Sequence, residues 1–337
     1  MARPQSVIAA RSVVAAVACS LAGAAFAQSG DDAATRSYPD RPIRVIVPFP
    51  PGGPADIIAR FLGQRMSADW AQGVIIDNRV GGNTAIGAQA AARAAPDGYT
   101  LFTPMDTTLV MNPLLAPALP YDALRDFEPI TLLTRSISLI VVRSDGPATI
   151  KELIAKAKSN PGRLNMGAGT ITSRLGALMF AKSAGIDVQL VPFKGSAEIG
   201  QAVLAGTVDF ALDSTGTSLP LIAAGRYRAL AKYSNRPLPI LPGLPSLSMA
   251  AELPDLDESS TWVALVARTG TPHGIIGKIH GEVARLYADP EIVERFEKAG
   301  ISPVGSTPEE LDALIRSELA RWSGILKENA GIKLKLE

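Results

Sequence analysis

Short β-branched and apolar runs alternate with helix-periodic stretches along most of this chain. That rhythm restricts it to an α/β architecture with a largely parallel sheet flanked by helices. Residues 43–49 read as a buried strand, after which Ile57, Ile58, Phe61, Leu62 and Met66 fall on one helical face. Further strands are predicted at 74–76, 99–102, 138–142, 188–191, 208–212 and 262–266. Thr149 with Glu152 predicts a capping box opening a helix that Pro161-Gly162 closes. Residues 236–245, rich in proline and leucine, read as an extended loop. Ile275, Ile276, Ile279, Val283 and Leu286 line the apolar face of a later helix. Thr307, Pro308 and Glu310 open the last one, whose buried stripe is Leu311, Leu314, Ile315, Leu319 and Trp322. No polar linker separates the two α/β stretches. The expectation is therefore two lobes sharing crossing strands, 38–138 plus 258–337 in lobe 1 and 139–257 in lobe 2, hinged near 138–142 and 262–266.

The first residues form a leader. Arg3 and Arg11 give a basic start, 12–26 carry no charge, and Ala25-Phe26-Ala27 puts small residues where a signal peptidase reads, predicting cleavage before Gln28. The apolar core is too short to span about 30 Å of hydrocarbon comfortably. Cys19, the single cysteine, lies inside that run and lacks a lipoprotein context. The mature chain then has no thiol for a disulfide, a nucleophile or a metal site.

Charge excludes another class of function. Losing the leader removes two arginines and no acids, leaving 31 basic and 32 acidic residues from 33 and 32. That balance offers no electrostatic footprint for nucleic acid or an anionic membrane face. About 310 residues suffice for two domains with real cores, and the mature protein is expected to be a soluble monomer.

Catalytic equipment is sparse. His273 and His280 are the only histidines, and neither has metal-ligand spacing, so no metal or cofactor is expected. No G-x-S-x-G elbow is present. Two glycine-rich strand-to-helix turns carry more information. The stretch 48–53 ends the first strand with Phe49, Pro50, Pro51, Gly52 and Gly53, and the glycines let a ligand approach backbone N–H groups at the following helix start. The second, 167–173, repeats the design with Gly169 and adds the hydroxyls of Thr170, Thr172 and Ser173. One such turn per lobe can converge on one carboxylate from opposite sides of a cleft. Neither matches a nucleotide-binding fingerprint.

Asp106, followed by Thr107, and Asp213 both succeed strand ends. Each reads either as a turn aspartate or as a cleft-rim group holding an ammonium or ordered water. Lys194 reads as an aid to an anion or as a solvated lysine, and Trp262 as pocket floor or hinge core. Asp56, three residues into its helix, suits the dipole and reads as structural.

In order, Tyr38-Pro39, Arg41-Pro42-Ile43, Ile46-Val47-Pro48-Phe49, Pro51-Gly52-Gly53, Asp56 and Ala59-Arg60 resemble the opening of the Bug-type (TctC-like) substrate-binding proteins of tripartite tricarboxylate transporters. Asn78-Arg79, Ile86-Gly87-Ala88, 96–101, Asn112-Pro113 and 119–122 continue the likeness. So do 152–154, Val191-Pro192 with Lys194-Gly195, Ala224-Gly225, 228–230 and Gly270-Thr271-Pro272, covering nearly the whole mature chain. The resemblance implies a two-lobed type II periplasmic binding protein fold with a deep, hinged cleft. It also implies a dicarboxylate, tricarboxylate, acidic amino acid or aromatic acid held by the two loops, partly through water, and delivered to membrane permease subunits. The chain departs from the pattern at 80–84, at Phe193 where tyrosine is usual, and at Arg174 where histidine is expected. Its 167–173 loop is one residue longer. A ligand-sensing subunit for a two-component receptor is the alternative role. A periplasmic hydrolase would need a nucleophile–base pair that the sequence lacks.

Overall fold

The structure, a computed structural model, describes residues 35–253, 260–298 and 300–328. The expected leader, with Cys19 and the cleavage point, lies outside the described residues. The first α/β unit runs β1 (Ile43–Val47), α1 (Pro54–Trp70), β2 (Val74–Asn78), α2 (Ala85–Ala92) and β3 (Thr100–Phe102). A π-helical turn (Thr107–Met111) and the short α3 (Asn112–Leu115) lead to the long β4 (Phe127–Arg143). The second unit runs α4 (Ile150–Ser159), β5 (Asn165–Ala168), α5 (Ile171–Ala184), β6 (Gln189–Pro192), α6 (Ser196–Leu204), β7 (Phe210–Ser214), α7 (Thr215–Ala223), β8 (Tyr227–Lys232) and α8 (Leu247–Ala251). The chain finishes with β9 (Ser260–Arg268), α9 (His273–Tyr287), α10 (Pro290–Lys298), β10 (Ser302–Pro303) and α11 (Pro308–Glu328).

The strands follow the order β2-β1-β3-β9-β4-β7-β5-β6, with β8 and β10 also paired to β4. Pairing is parallel from β2 through β1 to β3 and from β6 through β5 to β7, as short β-α-β crossovers dictate. β9 and β4 run antiparallel to their neighbours and join the halves. Residues 127–137 of β4 pair with β9, whereas 138–143 lie between β7 and β8. The molecule is thus two α/β lobes strung on one strand. The sequence reading found only the 138–142 part of β4, because Pro129 and two register shifts, at 129–131 and 132–134, break the period in its first half. β9 lies wholly in the first sheet, so the chain returns from the second lobe before residue 260 rather than at 262–266.

Strand alternation sorts the core into layers. Val45, Val47, Val263 and Leu265 pack against α1, α9 and α10, while Ile46, Trp262, Ala264 and Val266 pack under the π-helical turn and α11. In the second lobe Ile140, Met166, Phe210 and Leu212 face α4 and α5, and Leu139, Val141 and Ala211 face α6. One helix breaks the segregation. Ile171, Leu175 and Met179 of α5 join the first lobe's cluster with Leu109, Val110 and Trp262. Trp262 is therefore buried core between the lobes, at 2% exposure, and does not floor the cavity described below.

Candidate ligand-binding site

Between the first loop of lobe 1 and the helix starts of lobe 2 lies a cavity of about 60 Å³. At about 10–15 Å³ per water-sized group, it accommodates about four to six such groups. Lobe 1 supplies Phe49, Pro50, Pro51, Gly53, Pro54 and Ala55 from the loop and α1, together with Met105, Ser138 and Thr261. Across from them stand Gly169, Thr170 and Ser173 at α5, 195–199 at α6, and Leu212, Asp213 and Ser214 at the end of β7.

Four helices, α1, α5, α6 and α7, contribute cap or first-turn residues to this lining. Each such end leaves backbone N–H groups without an intrahelical acceptor and carries the positive pole of the helix dipole. The caps differ. Thr170 accepts from Ser173 N, at 3.2 Å, and Ser214 from Gly216 N, at 3.3 Å. Gly53 and Gly195 cap α1 and α6 with no side-chain acceptor at all. Instead an acid three residues on reaches back: Asp56 accepts from Gly52 N at 2.9 Å, and Glu198 from Lys194 N at 3.2 Å. Among the described residues, no lysine or arginine lines the cavity.

Asp56 is structural, as its position suggested. It is buried, bridged to Arg60 at 2.9 Å and bonded to Asn78. The Arg60 and Gly52 donors hold its carboxyl below the usual range even though burial opposes them. Gly52 sits at φ 85°, a conformation that favours glycine, whereas Gly53 sits at φ −83° and presents its open face to the cavity. Gly167 and Gly169 serve packing as well. A Cβ at Gly169 would meet Ile199 at 3.3 Å, so its absence lets α6 approach α5.

The predicted residues divide. Phe49, Pro50, Gly53, Gly169, Thr170, Ser173 and Asp213 line the cavity; Gly52, Asp106, Thr107, Thr172 and Lys194 do not. Lys194 is exposed, and only its backbone joins the α6 cap. Thr172 turns away and donates to Asp106, which also accepts from Trp262 N at 3.4 Å. Asp106 is not at a rim but fully enclosed between the lobes, and burial pushes its carboxyl up to about 7. Thr107 is buried beside it, its hydroxyl without a hydrogen bond in the structure. Asp213 is buried in the cavity wall, where it accepts from Thr217 (3.0 Å) and Ser218 (2.9 Å). Burial pushes its pKa up against those donors. Thr170 and Ser173 are also engaged with each other: Ser173 Oγ donates to Thr170 O at 2.9 Å.

Sequence reasoning missed Met105, Ser138, Ser196, Glu198, Leu212, Ser214 and Thr261. The α6 end had a readable signal, Gly195 followed three residues later by Glu198, which is a cap with an acid at the third helical position. Ser138 and Thr261 had none, since each is one of many strand hydroxyls.

A hinged two-lobed α/β fold enclosing a small cavity between helix starts defines the class of periplasmic binding proteins. Residues 58–331 match the sequence model of the tripartite tricarboxylate transporter family receptor, and the chain belongs to that family. It is 36% identical over 314 residues to a protein encoded between tcbD and tcbE in Pseudomonas sp. (strain P51), covering 91% of this chain and 93% of that one. Its fold is similar to that of the periplasmic binding protein BugD, at a TM-score of 0.80 and 30% identity, covering 88% of this chain and all of that one. It is also similar to an R. palustris protein solved with adipate, at a TM-score of 0.82 and 30% identity, covering 86% and 97% of the two chains. The family and these structural neighbours are binding proteins.

Proposed function

We propose that this protein captures a small carboxylate between its lobes and presents it to the membrane permease subunits of a tripartite tricarboxylate-type transporter. The observation that carries the reading is the set of four helix N-termini around a cavity that no lysine or arginine among the described residues lines. Such ends bind anions through backbone N–H groups, without the desolvation that a buried cation would cost. The R. palustris neighbour solved with adipate supports a carboxylate as cargo. Phe49, Pro50, Gly53, Gly169, Thr170, Ser173 and Asp213 form the proposed contact set. Gly52 and Thr172 shape it from behind.

The proposed lobes are 38–138 with 258–337, and 139–257. They close about β4 near residue 138, where its pairing changes from β9 to β7. Export with cleavage before Gln28, and a monomeric mature protein in the periplasm, complete the proposal. Intact mass and sedimentation of the periplasmic protein test these two points.

The decisive experiment is a thermal-shift screen of small carboxylic acids on the mature protein, followed by calorimetry. Acids should stabilise and their primary amides should fail. A best ligand that is uncharged and lacks a carboxylate would overturn the reading.

A further inference from the structure

Resting on that reading, the cavity wall says more about the solute. Its two formally charged lining residues, Glu198 and Asp213, are both acids. Glu198 occupies the third position of α6, so that helix end already faces a carboxylate of its own. Asp213 directly precedes the α7 cap Ser214, and Ser196 at the start of α6 lines the same cavity. The starts of α6 and α7 are thus each supplied with a carboxyl group from within the chain. By contrast, Asp56 at α1 is neutralised by Arg60, and α5 is capped by the neutral hydroxyl of Thr170.

We propose that the bound solute carries a single carboxylate, held at the starts of α1 and α5, and that its other end is a neutral or cationic hydrogen-bond donor facing Glu198 and Asp213. These two acids act as specificity-determining residues by opposing a second carboxylate. Like charges brought together repel, and such juxtaposition is an established device for rejecting wrong partners. Asp213 is buried and its effect is little screened, whereas Glu198 is exposed and acts more weakly. Asp213 and the Ser196 hydroxyl, which both line the cavity, can each accept a donor from the solute. Apolar walls from Phe49, Pro54, Met105 and Leu212 suit the methylene chain between the two ends.

The test compares matched chain lengths by calorimetry at neutral pH: succinate, glutarate and adipate against γ-aminobutyrate, δ-aminovalerate and ε-aminocaproate, with the corresponding ω-hydroxy acids as neutral donors. The amino or hydroxy acids should bind at least about tenfold tighter than the diacid of equal length. Glu198→Gln keeps an acceptor for Lys194 N, so the α6 cap and the fold survive. It should tighten diacid binding and weaken amino-acid binding, each by about two- to fivefold, as befits an exposed charge. A purely structural role for Glu198 would move both in one direction. Tightest binding by a diacid, or equal effects of Glu198→Gln on both series, would overturn the inference while leaving carboxylate capture standing. If no carboxylate of any series binds, the carboxylate reading itself fails, and this inference with it.

Discussion

Thr170 does two jobs at the residue scale, and they make opposite demands on its hydroxyl. It caps α5 by accepting from Ser173 N, and it lines the cavity. The cap adds a stability cost. Thr170→Ala should lower folding stability by about 1 kcal/mol, or about 2–4 °C in Tm. It should also weaken carboxylate binding by roughly 1.5–3 kcal/mol, about ten- to hundredfold. Differential scanning calorimetry with and without ligand separates the two effects.

Asp106 yields a second prediction. In the unfolded chain its carboxyl titrates near 3.8, and in the folded protein, mainly through burial, at about 7. Below both values the two states hold the same proton. Between them the folded state keeps a proton that the unfolded chain has released, so stability falls as pH rises. Above about 7 the buried carboxylate is fully charged and the loss levels off, at a total on the order of a few kcal/mol. Asp106→Asn retains an acceptor for Thr172 and Trp262 N. Denaturant midpoints at about pH 5 and about pH 8 should therefore differ less in the variant than in the parent.

At the scale of elements, two hydrogen bonds join the lobes outside the cavity, each at a helix start that the cavity also uses. Thr172 of α5 meets Asp106, and Thr215 of α7 donates to Gly300 O at 2.7 Å. Gly300 sits at φ 70°, and a Cβ there would fall 2.3 Å from Leu219 Cδ1 and 2.9 Å from Thr215 O. Gly300→Ala must push α7 away from the first lobe, at a cost of about 1–3 kcal/mol. Because α7 starts beside Asp213 and Ser214, the same change should weaken ligand binding without touching the cavity. An unchanged affinity by calorimetry would mean that the contact is not coupled to the site.

For the whole molecule, β4 and α5 decide how the lobes can move. β4 belongs to both sheets, and α5 buries Leu175 fully in the first lobe's core, so this side of the cleft stays packed while the α1 side opens. Closure should therefore be a rotation about the β4 side, not a separation of two independent bodies. Small-angle scattering should give a smaller radius of gyration at saturating ligand. An identical profile with and without ligand would argue against closure.

The amino-acid order alone determined the strand and helix rhythm, both threonine helix caps, the two glycine turns and the family likeness. Each of these is written in neighbours a few residues apart. Thr307–Glu310 formed as read, with Glu310 closing its box on Thr307 N at 2.9 Å, whereas Thr149 caps Glu152 N but the Glu152 carboxylate reaches past it to Ala148 N at 2.8 Å. Only the tertiary structure decided which of those residues face the ligand. Thr170 and Thr172 are two positions apart on one helix start, yet one lines the cavity and the other turns to Asp106, because successive helix positions point about 100° apart. Ser138, Thr261 and Glu198 reach the same cavity from three distant stretches of chain. What joins them is the long β4, whose irregular first half hid it from any periodic reading. Long-range pairing carries no local signature, so the residues that line the site came together only when the two lobes were assembled.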